Sequence, residues 1–118
     1  MYVQLRTITV RKGHADKVVE RFGKEGAIEQ SEGFVDLSVL VKRNRNAEED
    51  EVVVMVRWES EEACDKWRRS EAHIAGHRER KGKPAPEYII GANHAAYDVK
   101  AIKLPRAAAN GEGGGELG

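Results

Sequence analysis

The stretch EVVVMVRW, residues 51–58, constrains this chain more than any other. From Val52 to Val56 every side chain is apolar and all but Met55 are β-branched, which favours a strand. A strand turns successive side chains to opposite faces, so both faces of this one are apolar. An antiparallel sheet with one face in water would alternate instead. The sheet that holds residues 52–56 is therefore expected to be covered twice, by helices on one face and by a second sheet, from another copy of the chain, on the other.

The flanking segments supply the rest of such a sheet. Val3, Leu5, Ile8 and Val10 lie close to alternation among threonines and predict a first strand that starts almost at the first residue. After Lys12 and Gly13 the spacing changes to Ala15, Val18, Val19 and Phe22, the three-to-four repeat of an amphipathic helix, which fades through Gly23 and Gly26. GFVDLSVLVKR alternates again, with Val35, Leu37, Val39 and Val41 expected on one face, and the polar NRNAEED is a hairpin loop. Ser60, followed by Glu61 and Glu62, is a helix start, and Ser70, followed by Glu71, is a second. The stretch CDKWRRSEAHIAGHRERKG thus predicts two short helices meeting near Ser70, the second stopped by Gly82, Pro84 and Pro86. Tyr97, Val99 and Ala101 alternate against Asp98 and Lys100 as a final strand, interrupted near Gly91.

Strand, helix, strand, strand, helices, strand is the ferredoxin-like βαββαβ order of an α+β fold: a four-stranded antiparallel sheet with helices on one face. Two such sheets packed face to face as a homodimer would hide the other face. At 118 residues the chain suits a single domain, here residues 1–104, and the Gly-rich tail 105–118 has too little apolar surface to order itself.

Twenty basic and twenty acidic side chains cancel, which leaves no net field to recruit nucleic acid or an anionic membrane. No apolar run reaches membrane-spanning length, and MYVQLRTITV lacks the basic and apolar segments of a signal peptide. One cysteine, Cys64, fits a reducing compartment and reads as a small buried hydrophobe. The chain is read as cytoplasmic.

Four positions carry candidate chemistry. His73 and His77 stand four apart, on one side of a helix, a spacing that zinc sites use, but structural zinc takes about four protein ligands and no others are spaced to join them. The plain alternative for His77 is a solvent-facing histidine. Gly76 costs a helix about 1 kcal/mol relative to alanine, tolerable where a large flat ligand must approach the backbone or where another helix packs. Trp67 is either core, in a stripe with Ala63, or a ligand wall. Trp58 ends a core strand and reads as packing.

As a set, in order and spacing, KGHADKVVERF, EGFVDLSVL, DEVVVMVRWESEEACDKWRRSEAHIAGH and YDVKAIK resemble the haem-degrading monooxygenases of the antibiotic-biosynthesis-monooxygenase superfamily, Bacillus-type subgroup. The likeness runs from Tyr2 to about Leu104. It implies a dimeric α+β barrel of ferredoxin-like subunits, each binding one haem that is both cofactor and substrate. It also implies His77 as the proximal iron ligand, with Gly76 beside it, and Trp67 as the distal ring that presses the macrocycle out of plane. O₂ and an external electron donor, a reductase or small reductant, complete the reaction, which opens the porphyrin and releases iron and a linear tetrapyrrole. Imidazole is a good haem ligand that leaves the opposite face open for O₂.

One position departs. Where the family pattern has an asparagine on the first strand, this chain has Arg6. A permanent cation with five donors replaces a neutral amide, so Arg6 either takes the distal role toward bound oxygen, pairs with a haem propionate, or forms an ordinary salt bridge. The departure keeps one alternative open, a haem-binding storage or delivery protein with little turnover, and the superfamily resemblance implies another, a cofactor-independent monooxygenase acting on a quinol or polyketide-like substrate.

Overall fold

The computed structural model describes residues 1–44 and 46–106. Strand β1 (Tyr2–Arg11) leads into helix α1 (Ala15–Gly23), a short 3-10 turn (Ala27–Gln30), and the hairpin of β2 (Phe34–Val41) and β3 (Glu49–Trp58). Helices α2 (Glu61–Arg68) and α3 (Glu71–Arg80) follow, and β4 (Ile89–Asp98) closes the sheet. The strand order is β2-β3-β1-β4, antiparallel throughout, the expected ferredoxin-like arrangement. Both predicted serine caps are in place: Ser60 Oγ accepts from the Ala63 N–H and Ser70 Oγ from the His73 N–H. The expected tail lies, from residue 107 onward, outside the described residues.

The helix-side face of the sheet holds two buried clusters. Ile8, Val10, Val52 and Val54 pack with Ala15 and Val18 of α1. Trp58 packs with Ala63 and Cys64 of α2, and Trp58 Nε1 donates to Gln4 Oε1 at 3.0 Å. Burial pushes the Cys64 thiol pKa up, which leaves it an unreactive hydrophobe. Val53 and Met55 point to the opposite face, paired in register with Thr7 and Leu5 on β1 and with Leu40 and Ser38 on β2. Among the described residues nothing covers that face: Leu40 is 46% and Tyr97 53% exposed.

Two expectations are corrected. Val35 does not share the inner face of β2, because the register shifts between Phe34 and Asp36; Phe34 turns inward to meet Trp58 edge-on at 5.6 Å and Val35 is exposed. Val41 shares the inner face with Leu37 and Val39 as expected, opposite Val52, but is exposed at the sheet edge. The last strand runs over residues 89–98, not on to Ala101. Tyr2 pairs with Asp98 and the Met1 carbonyl accepts from the Val99 N–H, where the pairing of β4 with β1 stops. The expected interruption is present as a shift between Thr9 and Val10 that leaves Ile90, beside Gly91, as the extra residue.

Gly33 fixes the approach of α2 to the sheet. Its φ is +81°, and a Cβ added there would stand 2.5 Å from the Ala63 Cβ. Its carbonyl accepts from the Glu59 N–H at 2.8 Å, closing the turn from β3 into α2. The helix that carries Trp67 is thereby seated directly on glycine backbone.

Candidate functional site

The apolar pattern of β1 changes face halfway along. Val3 and Leu5 point to the open face, whereas Ile8 and Val10 point to the helix side, so the first half of the strand presents Gln4 and Arg6 toward the helices. Gln4 is satisfied by Trp58. The Arg6 Nε is buried with no hydrogen-bond partner among the described residues. Its guanidinium lies 5.6 Å from the centre of the Phe22 ring of α1, a cation–π contact. Burial, first, and then repulsion from Arg21 and Arg80 lower the Arg6 pKa. Among the described residues no ion pair forms at Arg6, which gives the salt-bridge alternative no support.

On the far side of Arg6, β4 offers a shelf. Its register places Ala92, His94 and Ala96 on the helix side opposite Ile8, Arg6 and Gln4, and every residue from Ile90 to Asp98 is exposed. Helix α3 contributes no buried residue and does not seal this half of the sheet. His94 is a site neighbour that the sequence did not single out: no local motif marks it, and only the strand register sets it beside Arg6.

Helices α2 and α3 bring three rings into series. Trp67, partly buried against the Trp58 cluster, meets His73 edge-on at 5.3 Å, and His73 stacks on His77 at 6.0 Å. Trp67 therefore belongs to the core and to the ring series at once. Burial, then the positive surroundings of His77, Arg80 and Arg68, lower the His73 pKa. His77 is exposed. It opens into a groove of about 690 Å³ lined by His73, His77, Arg68, Arg78, Arg80 and Lys81 among others, a volume ordinary for small-ligand pockets. Among the described residues no group of three or more His, Cys, Asp or Glu is placed to hold a bare metal ion.

Gly76 is not explained by helix packing. Among the described residues a Cβ there would meet only the Arg80 guanidinium, at 3.7 and 3.9 Å, which is ordinary contact with a flexible side chain. Alanine would thus fit the ligand-free chain and stabilise α3 by about 0.5–1 kcal/mol. If Gly76 clears space for a ligand held at His77, Gly76→Ala should melt at higher temperature than the wild type yet bind that ligand less tightly. Thermal melting and ligand titration on the same preparation check both signs, and unchanged affinity would return Gly76 to a neutral helix position.

Against known proteins, the antibiotic biosynthesis monooxygenase family matches residues 1–79, well over half of the chain. The chain belongs to that family. A haem-degrading monooxygenase of Bacillus subtilis, HmoA, is 54% identical over 103 residues, spanning 87% of this chain and 94% of the relative. Among solved structures, an antibiotic biosynthesis monooxygenase from Bacillus cereus superposes with a TM-score of 0.76 at 50% identity, covering 87% of this chain and 96% of the other. The haem degrader MhuD of Mycobacterium tuberculosis, solved with two haems bound in its active site, gives 0.62 at 27% identity over 88% of this chain and all of that one. The monooxygenase family relation reaches both the sheet that bears Arg6 and the helices that bear Trp67 and His77.

The residues present suit a haem. His77 offers an exposed imidazole lone pair. The space beside Gly76 admits a flat group, and Arg6 holds a buried donor that nothing in the described chain satisfies.

Proposed function

We propose that the chain is a haem-degrading monooxygenase. The observation that carries the reading is the 54% identity to HmoA across nearly the whole of both chains, joined to an exposed His77 one residue from a glycine that the fold itself does not require. Bound haem would supply the iron at which O₂ and reducing equivalents meet, and would itself be the molecule opened.

The chain's own residues divide the remaining work. His77 would hold the iron through its imidazole, and His73, stacked against it, limits the ring's rotation. Trp67 is fixed from behind by the Trp58 cluster, so its indole can press on a ligand without yielding. A rigid wall of this kind suits a reaction in which one ring position must be brought toward the oxygen. Arg6 supplies donors from the sheet.

A homodimer accounts for the sheet face left bare by the single chain. Leu5, Met55, Leu40 and Tyr97 need cover there, and the residues after β4 extend the same demand, with Ile102 57% and Leu104 81% exposed. A fully buried, free Cys64 accords with a reducing, cytoplasmic setting, and no described helix is long and apolar enough to cross a membrane.

Haemin titration of the purified chain, followed by ascorbate in air, tests the reading. A Soret shift saturating near one haem per chain and then bleaching is expected, on a particle of twice the chain mass by light scattering. Saturable binding without bleaching would indicate storage or delivery. The absence of any shift would leave a cofactor-independent oxygenase.

A further inference from the structure

We propose that Arg6, Arg21 and Arg80 form a carboxylate-binding site that takes the propionate groups of haem. The inference rests on the haem reading above and goes further, since it assigns the ligand's orientation to three named side chains. They come from three separate elements, β1, α1 and α3. Arg6 and Arg21 both lie against the Phe22 ring, at 5.6 and 5.4 Å from its centre. Arg80 curls back over Gly76, one turn beyond His77 on the same helix.

Among the described residues none of the three has a carboxylate within ion-pair distance, although the chain carries twenty acidic side chains to its twenty basic ones. The two charges that act on Arg6 are both positive. A half-buried guanidinium with an unpaired Nε and two cationic neighbours is unfavourable in the chain alone, because like charges repel and a buried donor loses its water. An anion presented by a ligand would remove both costs together.

The charge and shape of that anion follow from the surroundings. A neutral O₂ does not call for three cations, whereas planar guanidinium forks match carboxylate oxygens in pairs. The histidine that would hold the iron lies three residues before Arg80, so ring and carboxylate would be gripped from one helix while Arg6 closes from the sheet and Arg21 from α1. Such an anchor would fix the ring's rotation about the iron–His77 axis, and with it which edge faces Trp67.

The test uses the full-length chain and two ligands, haemin and its iron complex with both propionates methyl-esterified. Wild type, Arg6→Met, Arg21→Gln and Arg80→Gln are titrated at the Soret band, and each ligand-free protein is melted. Wild type should bind the diacid at least about tenfold tighter than the diester, and each variant should lose about tenfold for haemin, the affinity of one charge-assisted hydrogen bond. Diester affinity should stay within about twofold, since no charged group is left to lose its partner. The ligand-free variants should melt at the wild-type temperature or above.

Equal losses on both ligands, or lower melting of all three variants, would make the arginines structural and overturn the proposal. Wild type binding diacid and diester alike, with ascorbate or phosphate alone shielding the arginines from phenylglyoxal, would assign the cluster to a free anion instead. Wild type binding neither ligand would overturn the haem reading itself, and this inference with it.

Discussion

Haemin added to the His77→Ala variant is expected to give no saturating Soret shift at concentrations that saturate the wild type. The loss should be at least about hundredfold, because removing a group that merely supports a metal ligand already costs about 10–100-fold. Ascorbate in air should then bleach nothing beyond the rate of free haemin. The fold should not suffer: His77 is exposed on a helix without buried residues, and surface substitutions of that kind stay within about 0.5 kcal/mol. His73 is the control. Its ring stacks on His77 at 6.0 Å and touches Trp67, so His73→Ala should loosen the ligand's orientation and weaken binding by about tenfold without abolishing it. Wild-type binding by His77→Ala together with loss in His73→Ala would move the iron ligand one turn back along α3.

Gly33→Ala is the substitution expected to cost the most stability. The left-handed backbone at φ +81° costs a residue with a Cβ about 1–2 kcal/mol. The new Cβ would also meet the Ala63 Cβ at 2.5 Å, an overlap that forces β2 and α2 apart at a further cost of about 1–3 kcal/mol. Together these should lower Tm by more than about 10 °C for a domain of this size. Haem affinity should fall with it, since α2 positions Trp67. Ala63→Gly is destabilising alone, by about 1 kcal/mol, yet in the Gly33→Ala background it removes the overlap. The double variant should therefore be more stable than the sum of the singles predicts, read as a double-mutant cycle on Tm. Additive losses would show that strain at φ, not contact with Ala63, is the reason for glycine at 33.

Much of the framework was legible because it is local. Helix starts at Ser60 and Ser70 need only a serine before one or two acidic residues, and both serines cap as expected. The doubly apolar run at Val52–Val56 required cover on both sides, and its two faces do part in that way: Val52 and Val54 are buried under α1, and Val53 and Met55 lie on the bare face. Trp67 and His77 could be named as a pair from their place in the family pattern. His73 could be seen as a helical neighbour of His77, but its contact with Trp67 spans the break at Ser70 and depends on how α2 and α3 meet.

What periodicity could not supply was phase. Val35, Leu37, Val39 and Val41 alternate without fault in the sequence, yet a bulge at Val35 hands the inner position to Phe34, because the Trp58 ring offers an edge-on partner there. The end of β4 could not be read from Val99 and Ala101, since a strand continues only while its neighbour has residues to pair, and β1 begins at Tyr2.

The amino-acid sequence by itself determined which elements form, in what order, and which family the chain joins, and it named the side chains proposed to hold a haem. Each of those follows from spacing within a few residues or from a pattern repeated among relatives. Only the tertiary structure decided that Arg6 turns toward the helices, that its Nε is buried without a partner among the described residues, and that Arg6 and Arg21 share the Phe22 ring. Residues 6 and 21 come to one ring through strand register and helix approach, and a through-space encounter of like charges leaves no trace in the spacing of a linear chain.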